Sequence, residues 1–439
     1  MTGTGGAANS GGAMDTGGAT GAGGATAHSG GATGGAKATG GSVEFGGTTG
    51  SGGSKATGGV TGLGGTPASG GSPASGGAPS TGGTKASGGA SGGTTGTGGV
   101  GSGGTKATGG STNGGFATGG SSGGSVGTTP ASTNDLWIAP DGSDSAAGTE
   151  SQPLATLTGA QSKWSAGKTI WVKPGTYSWS STQKLSKAGS ASSPINVFAA
   201  SGARPVIDFS GQPRDTSSAR GIEISGSYWH LKGFDVMKAG DNCIHISGSN
   251  NTVEWVVVHG CCDGGLQITG TSASNNTVLN CDSYENYDAS TGGENADGFS
   301  AKLELGPGNA FRACRSWNNS DDGWDLYAAA EVVVIESSWA FLNGKPATPN
   351  GDGNGFKLGG SGGGAAHQVT SCFAFENLAC GFTRNNNTEV PVLKQCGGRD
   401  DGKGEYCSLT SSSAVSFSMT GAQAKAVQRN ADGSLPAIN

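Results

Sequence analysis

The sequence predicts an all-β chain wound as a right-handed, single-stranded parallel β-helix, a solenoid preceded by a disordered Gly/Ser/Thr-rich linker. Three observations predict it. Composition breaks near residue 134, a short apolar motif returns every 22 to 33 residues, and a second motif ending mostly in asparagine recurs between its copies.

The linker comes first, over residues 1–133. Residues 1–130 hold 51 of the 90 glycines, in loose repeats such as "KATGG" and "ASGG", with Phe45 and Phe116 as their aromatics and no cysteine. Such a segment buries too little apolar surface to offset the entropy of ordering it. Order-promoting residues begin at "NDLWIAP" (134–140), and residues 134–439 are expected to form one large domain. Within it, "PLATLTGAQSKW" (153–164) reads as a short helix. With "KTIWVKPGTYSW" (168–179) it would cap the open end of the solenoid, as terminal repeats require.

The apolar motif appears as "GIEI" (221–224), "CIHI" (243–246), "GLQI" (265–268), "GFSA" (298–301), "GWDL" (323–326), "GFKL" (355–358) and "GFTR" (381–384). The second motif reads "NNTVEWVVVHGC" (250–261), "NNTVLNCDSYEN" (275–286), "GNAFRACRSWNN" (308–319) and "AHQVTSCFAFEN" (366–377). Its last residues, Cys261, Asn286, Asn319 and Asn377, share a register that Asn343 of "SSWAFLN" joins. Short runs with period-2 alternation at this spacing indicate stacked coils, with inward asparagines forming a ladder rather than only marking turns.

The net charge is −6. Lys37, Lys55, Lys85 and Lys106 against Asp15 and Glu44 give the linker +2, so the domain carries −8. That argues against nucleic acid as a partner. No apolar run is long enough to cross a membrane. The segment "MTGTGGAANS" lacks the apolar core of a signal peptide, yet the Thr/Ser/Gly tether suggests a secreted, extracellular protein that begins upstream or is a fragment. All nine cysteines follow position 242 and make no zinc pattern. Cys396 and Cys407 flank a turn and could close a small disulfide loop, and the odd count leaves at least one thiol unpaired.

Stacking the apolar motifs aligns their third positions: His245, Gln267, Ser300, Asp325, Lys357 and Thr383. With the apolar residues inward, these face out, on coils about 4.8 Å apart. Three residues earlier stand Asp297, Asp322 and Asn354, and Asp321 precedes Asp322. Four carboxylates, Asp297, Asp321, Asp322 and Asp325, thus converge from two coils. Their repulsion is costly unless a cation sits among them, and oxygen-only ligands point to Ca2+. Lys357 lies one coil further on. A nearby divalent ion would lower its pKa toward the range of a general base. Lys302, one coil before Asp325, is a candidate for binding substrate carboxylates or an alternative base, and Arg384 a candidate clamp for an anionic sugar. A base beside Ca2+ on an open groove suits β-elimination from a uronic acid polymer, the ion draining charge from the C6 carboxylate while the lysine takes the C5 proton.

The motifs "NADGF" (295–299), "NNSDDGWDLY" (318–327) and "GNGFKLGG" (353–360) resemble polysaccharide lyase family 9, the pectate lyases built on a parallel β-helix; "IAPDGSDSAAGT" with "KPGTY" looks like the start of such secreted enzymes. The resemblance covers most of residues 135–425. It implies Asp297, Asp321, Asp322 and Asp325 as calcium ligands and Lys357 as Brønsted base, acting on polygalacturonate; a monomer is expected. Two alternatives stand beside it: an inverting polygalacturonase-type hydrolase, which leaves Lys357 without a role, and a non-catalytic carbohydrate-binding adhesin.

Overall fold

Short strands that alternate inward and outward residues set the frame of the molecule. The computed structural model describes residues 134–362 and 364–438, so the linker expected over 1–133 lies outside the described residues. Each complete coil contributes one strand to each of three parallel sheets. Sheet I stacks eleven strands from Leu136–Ile138 to Ser411–Ser412. Sheet II stacks nine from Gln183–Leu185 to Gly404–Cys407, and sheet III nine from Thr176–Ser178 to Gly397–Arg399. The apolar motifs all fall on sheet II in the expected register, Ile222 on Ile244 on Leu266 on Phe299 on Trp324 on Phe356 on Phe382. The expected parallel β-helix is therefore the observed fold, and parallel crossovers of this kind are right-handed.

The two corners of sheet III explain the second motif. Between sheets I and III the chain bends at one left-handed residue per coil, with φ between 51° and 56° at Trp255, Asn280, Ala313, Ser337, Ser371 and Gln395. Cysteines follow four of these bends. Cys281, Cys314, Cys372 and Cys396 point into the core as buried thiols. Past sheet III the bend recurs at Glu285, Asn318, Leu342, Glu376 and Asp400. A non-glycine residue in this region costs roughly 1–2 kcal/mol. The residue after each bend holds the corner in place. Asn286, Asn319, Asn343 and Asn377 each donate a side-chain amide to the next rung, at 2.8, 3.0, 3.0 and 2.9 Å, and the last acceptor is Asp401. Each rung's oxygen also takes the previous rung's backbone N–H, beginning with Cys261 on Asn286 at 3.1 Å. Burial pushes the Asp401 carboxyl up to about 7, against the lowering effect of the Asn377 donors.

Asn319→Ala removes the acceptor of two Asn286 donors and a donor to Asn343. Buried groups left unpaired at this level cost about 3 kcal/mol in total, measurable as a lower urea midpoint. A loss under about 1 kcal/mol would mean that the asparagines only mark turns. A second ladder, not anticipated, runs through Asn251, Asn276 and Asn309 where coils enter sheet I.

Helix Leu157–Lys163 caps the N-terminal end as expected, with Thr156 accepting from the Gly159 N–H at 2.8 Å and Leu157 and Ala160 in the main core. The expected Cys396–Cys407 disulfide is absent. Cys396 belongs to the inward column, whereas Cys407 ends a sheet II strand and bonds Cys380 from the neighbouring coil; Cys243 bonds Cys261. The final residues do not coil. Helix Gly421–Ala426 and its flanks fold back over sheet III, where Phe417, Met419, Val427, Leu435 and Ile438 cover the stacked rings of Tyr284, Trp317, Phe341 and Phe375.

Candidate active site

The inward column of sheet II locks the register of the outward one. Phe299, Trp324, Phe356, Phe382 and Tyr406 stack ring on ring, with centroids 4.7 to 5.5 Å apart. One residue along, Ser300, Asp325 and Lys357 therefore align on the other face. Gly323 stands just before Trp324 because a Cβ there would lie 2.5 Å from the Gly355 carbonyl of the next coil and 2.8 Å from the Asn343 amide.

The strand starts bring in the acids. Asp297 Oδ1 accepts from the Asp322 N–H at 3.3 Å, one coil on, and Asp297 Oδ2 accepts from Lys302 Nζ at 2.9 Å. Asp322 Oδ1 accepts from Asn354 N at 2.7 Å and from its side-chain amide at 2.8 Å. Asp322 Oδ2 accepts no hydrogen bond, although Lys357 Nζ faces it at 3.1 Å. Asp321 is held by the Asn295 and Asp352 N–H groups. Asp325 Oδ2 lies 3.2 Å from Lys302 Nζ, and its Oδ1 accepts from Tyr327 N. Lys357 Nζ also has Asp352 at 3.3 Å and Asp325 at 4.0 Å.

Six of the seven anticipated residues thus share one cluster. Arg384 does not join it; its guanidinium donates to the carbonyls of Asn387 and Thr388 in its own turn. Lys302 acts as a counter-cation to Asp297 and Asp325 inside the cluster, with only 3% of its surface exposed. The open groove is also corrected. These side chains point away from the core, yet Asp297, Asp322 and Lys357 are 0% exposed, and Asp321 and Asp325 1%. Asp352, missed in the repeat because it lies in an irregular loop, is the partly exposed partner of Lys357.

Burial, then mutual repulsion, drives the Asp297 and Asp322 carboxyls well above the usual carboxylate range, against the pull of the lysines. Asp321 rises to about 6 for the same first reason. Burial disfavours charge on Lys357, but Asp322, Asp325, Asp321 and Asp297 outweigh it and hold its pKa well above that of a free lysine. The expected depression of Lys357 therefore does not arise from these groups alone.

The donor set fits a hard cation. Asp297, Asp321 and Asp322 each offer an oxygen within 4.8 Å of the others, all buried. Ca2+–oxygen bonds of about 2.4 Å span oxygens up to about 4.8 Å apart, and Ca2+ prefers carboxylates with neither His nor Cys. Asp325, expected as a fourth ligand, lies outside that triad. Beside the cluster, a cavity of about 360 Å3 is lined by Asp241, Asp263, Asp288 and Thr291 among others. Burial first, then the Asp263 charge, pushes Asp241 up to about 8.

Residues 136–421 match the family described as Pel9A-like, right handed beta helix region. The chain belongs to that family. Pectate lyase L of Dickeya chrysanthemi is 41% identical over 262 residues, 57% of this chain; the chain spans 61% of that relative's length. Among solved Pel9A-like folds, the crystal structure of pectate lyase Pel9A superposes with a TM-score of 0.60 at 34% identity, covering 69% of this chain and 88% of that one. A rhamnogalacturonan lyase structure superposes with the same score at 29% identity, covering 70% and 95%.

Proposed function

We propose that this chain is a calcium-dependent lyase that cleaves α-1,4-galacturonan, the polygalacturonate of pectin, by β-elimination. One observation carries the reading: a buried lysine on sheet II lies 3.1 Å from Asp322 of a three-carboxylate, oxygen-only cluster. The relatives named pectate lyases support the substrate.

Asp297, Asp321 and Asp322 would hold the ion, with Asp325 adding negative charge beside them. When bound, Ca2+ supplies positive charge against the sugar's C6 carboxylate and so acidifies the C5 proton. With the ion's charge offsetting these carboxylates, Lys357 Nζ would be neutral and would take that proton. The electron pair of the broken C5–H bond becomes the C4–C5 double bond as the C4–O bond breaks, and the departing oxygen takes a proton from solvent. The new ammonium of Lys357 is met by Asp322 and Asp325. Lys302 keeps Asp297 and Asp325 aimed into the cluster.

An inverting hydrolase would need carboxyl groups about 6.5–9.5 Å apart with a water between them. The oxygens here converge within 4.8 Å, which favours the lyase. The two disulfides, Cys243–Cys261 and Cys380–Cys407, support action outside the cell. Among the described residues no helix is long and apolar enough to cross a membrane.

The test is incubation with polygalacturonate while following the absorbance of unsaturated product. The signal is expected to vanish with chelator and return with added Ca2+. Chain cleavage that persists with chelator and yields no unsaturated ends would instead identify a hydrolase; binding without cleavage would identify an adhesin.

A further inference from the structure

The cluster that would do the chemistry is sealed. Lys357 has no exposed surface, so a polymer reaches its Nζ only if something moves. Of the three carboxylates around that Nζ, the Asp322 and Asp325 side chains are 0% and 1% exposed, and Asp352 is 33% exposed. Asp352 therefore stands between the lysine and solvent.

It is carried by residues 344–353, a loop whose two ends touch. A Cβ on Gly344 would lie 2.6 Å from Gly353 Cα, and both glycines have left-handed φ, +70° and +75°. That is the shape of an Ω-loop. Between the glycines, residues 345–352 include no buried side chain. The loop is tied down by hydrogen bonds: Asn350 N to Gly292 O at 3.0 Å, the Asn350 amide to Thr291 O at 2.6 Å, Thr348 Oγ1 to Ser320 O at 3.3 Å and Asp352 N to Asp321 Oδ1 at 2.8 Å. Segments without apolar anchors open at free energies far below that of global unfolding. Thr291, the anchor for Asn350, also lines the 360 Å3 cavity, so releasing the loop widens an existing opening.

We propose that residues 344–353 are a gate, and that Asp352 occupies the place beside Lys357 that the carboxylate of an entering uronate takes. Asp352 is a positioning residue in this scheme. It holds the lysine while the gate is shut, and only an anionic sugar replaces the ion pair lost on opening. The proposal rests on the lyase reading for its ligand, but the motion of the gate is measurable without substrate.

Three measurements test it. In hydrogen exchange on the full chain without substrate, the amides of Asn350 and Asp352 exchange orders of magnitude faster than those of Trp324 and Phe356. Equal protection overturns the gate, whatever the protein cleaves. Thr291→Cys with Asn350→Cys pins the loop by a disulfide. The oxidised form is expected to lose binding of trigalacturonate in calorimetry and to regain it on reduction; undiminished binding when oxidised overturns the proposal. If the unaltered chain binds no trigalacturonate, it is the lyase reading that fails. Asp352→Asn lowers KM for polygalacturonate about five-fold, the worth of one partly exposed ion pair, and Asp352→Glu restores it. A KM that is unchanged or raised in Asp352→Asn, with kcat alone falling, refutes the competing role.

Discussion

Lys357→Ala lowers the rate of unsaturated-product formation about a thousandfold, within the range a general base contributes. The same variant separates catalysis from architecture. Lys357 is also a buried counter-charge for Asp322, 3.1 Å away, and for Asp325. Removing one partner of a buried ion pair costs about 3–5 kcal/mol, because the remaining charge is stranded. Without calcium the variant should therefore melt early. With calcium, binding to the folded state alone should return much of that stability. Activity stays lost in both conditions. Product formation at the unaltered rate would move the base to Lys302 or defeat the mechanism, and a comparison with Lys302→Ala decides which.

Asp282→Asn is expected to be the most damaging single change away from the site, costing about 3–5 kcal/mol. Asp282, 2% exposed, receives Arg315 Nε at 2.9 Å and Nη2 at 2.8 Å, and Arg429 Nη2 at 2.5 Å. Arg315 also donates to the carbonyls of Ala424 and Val427, so this one carboxylate secures the C-terminal segment to sheet III. Burial alone would raise the Asp282 pKa, but the two guanidiniums win and hold it well below the usual carboxylate range. The sign follows. A carboxyl with a depressed folded pKa stabilises fully above its unfolded pKa of about 4, and the stabilisation is lost as pH falls below that value toward the folded one. Urea unfolding followed from pH 7 downward should show the unaltered protein losing stability below about pH 4. Asp282→Asn should be weaker throughout and flatter in that acid limb. Limited proteolysis of the variant should first release the segment after residue 413.

Much of the fold was readable because a wound sheet writes its register into the chain. Each inward apolar position recurs once per coil, which aligns Ile222 through Phe382, and the same alignment brings Asp297, Asp322, Asp325 and Lys357 together. The asparagine ladder was legible for the same reason. The left-handed bends were not, since Trp255, Ala313 and Leu342 share no turn chemistry; the packed corner imposes their conformation. The "NNT" repeats carry the signal for the Asn251–Asn276–Asn309 ladder, but the same residues also fit an ordinary turn, and only the coil-on-coil contacts distinguish the two. Cysteine pairing was illegible because Cys380 and Cys407 meet across coils while Cys396, closer in sequence, turns inward. The sealing of the site had a trace in the spacings. The two longest steps, 33 and 32 residues, are the coils that carry the covering loops, while Asp352 sits in one of them with no repeat to give it away.

Those unequal steps have an architectural consequence. Both bends flanking sheet III use one residue per coil, and the asparagine ladder runs along the second of them, so an insertion there breaks a rung. The passage from sheet III to sheet II beyond the ladder is under no such constraint. Chains wound this way can lengthen, shorten or exchange segments there while the scaffold stays unchanged, which confines novelty to the loops that cover the acidic cluster.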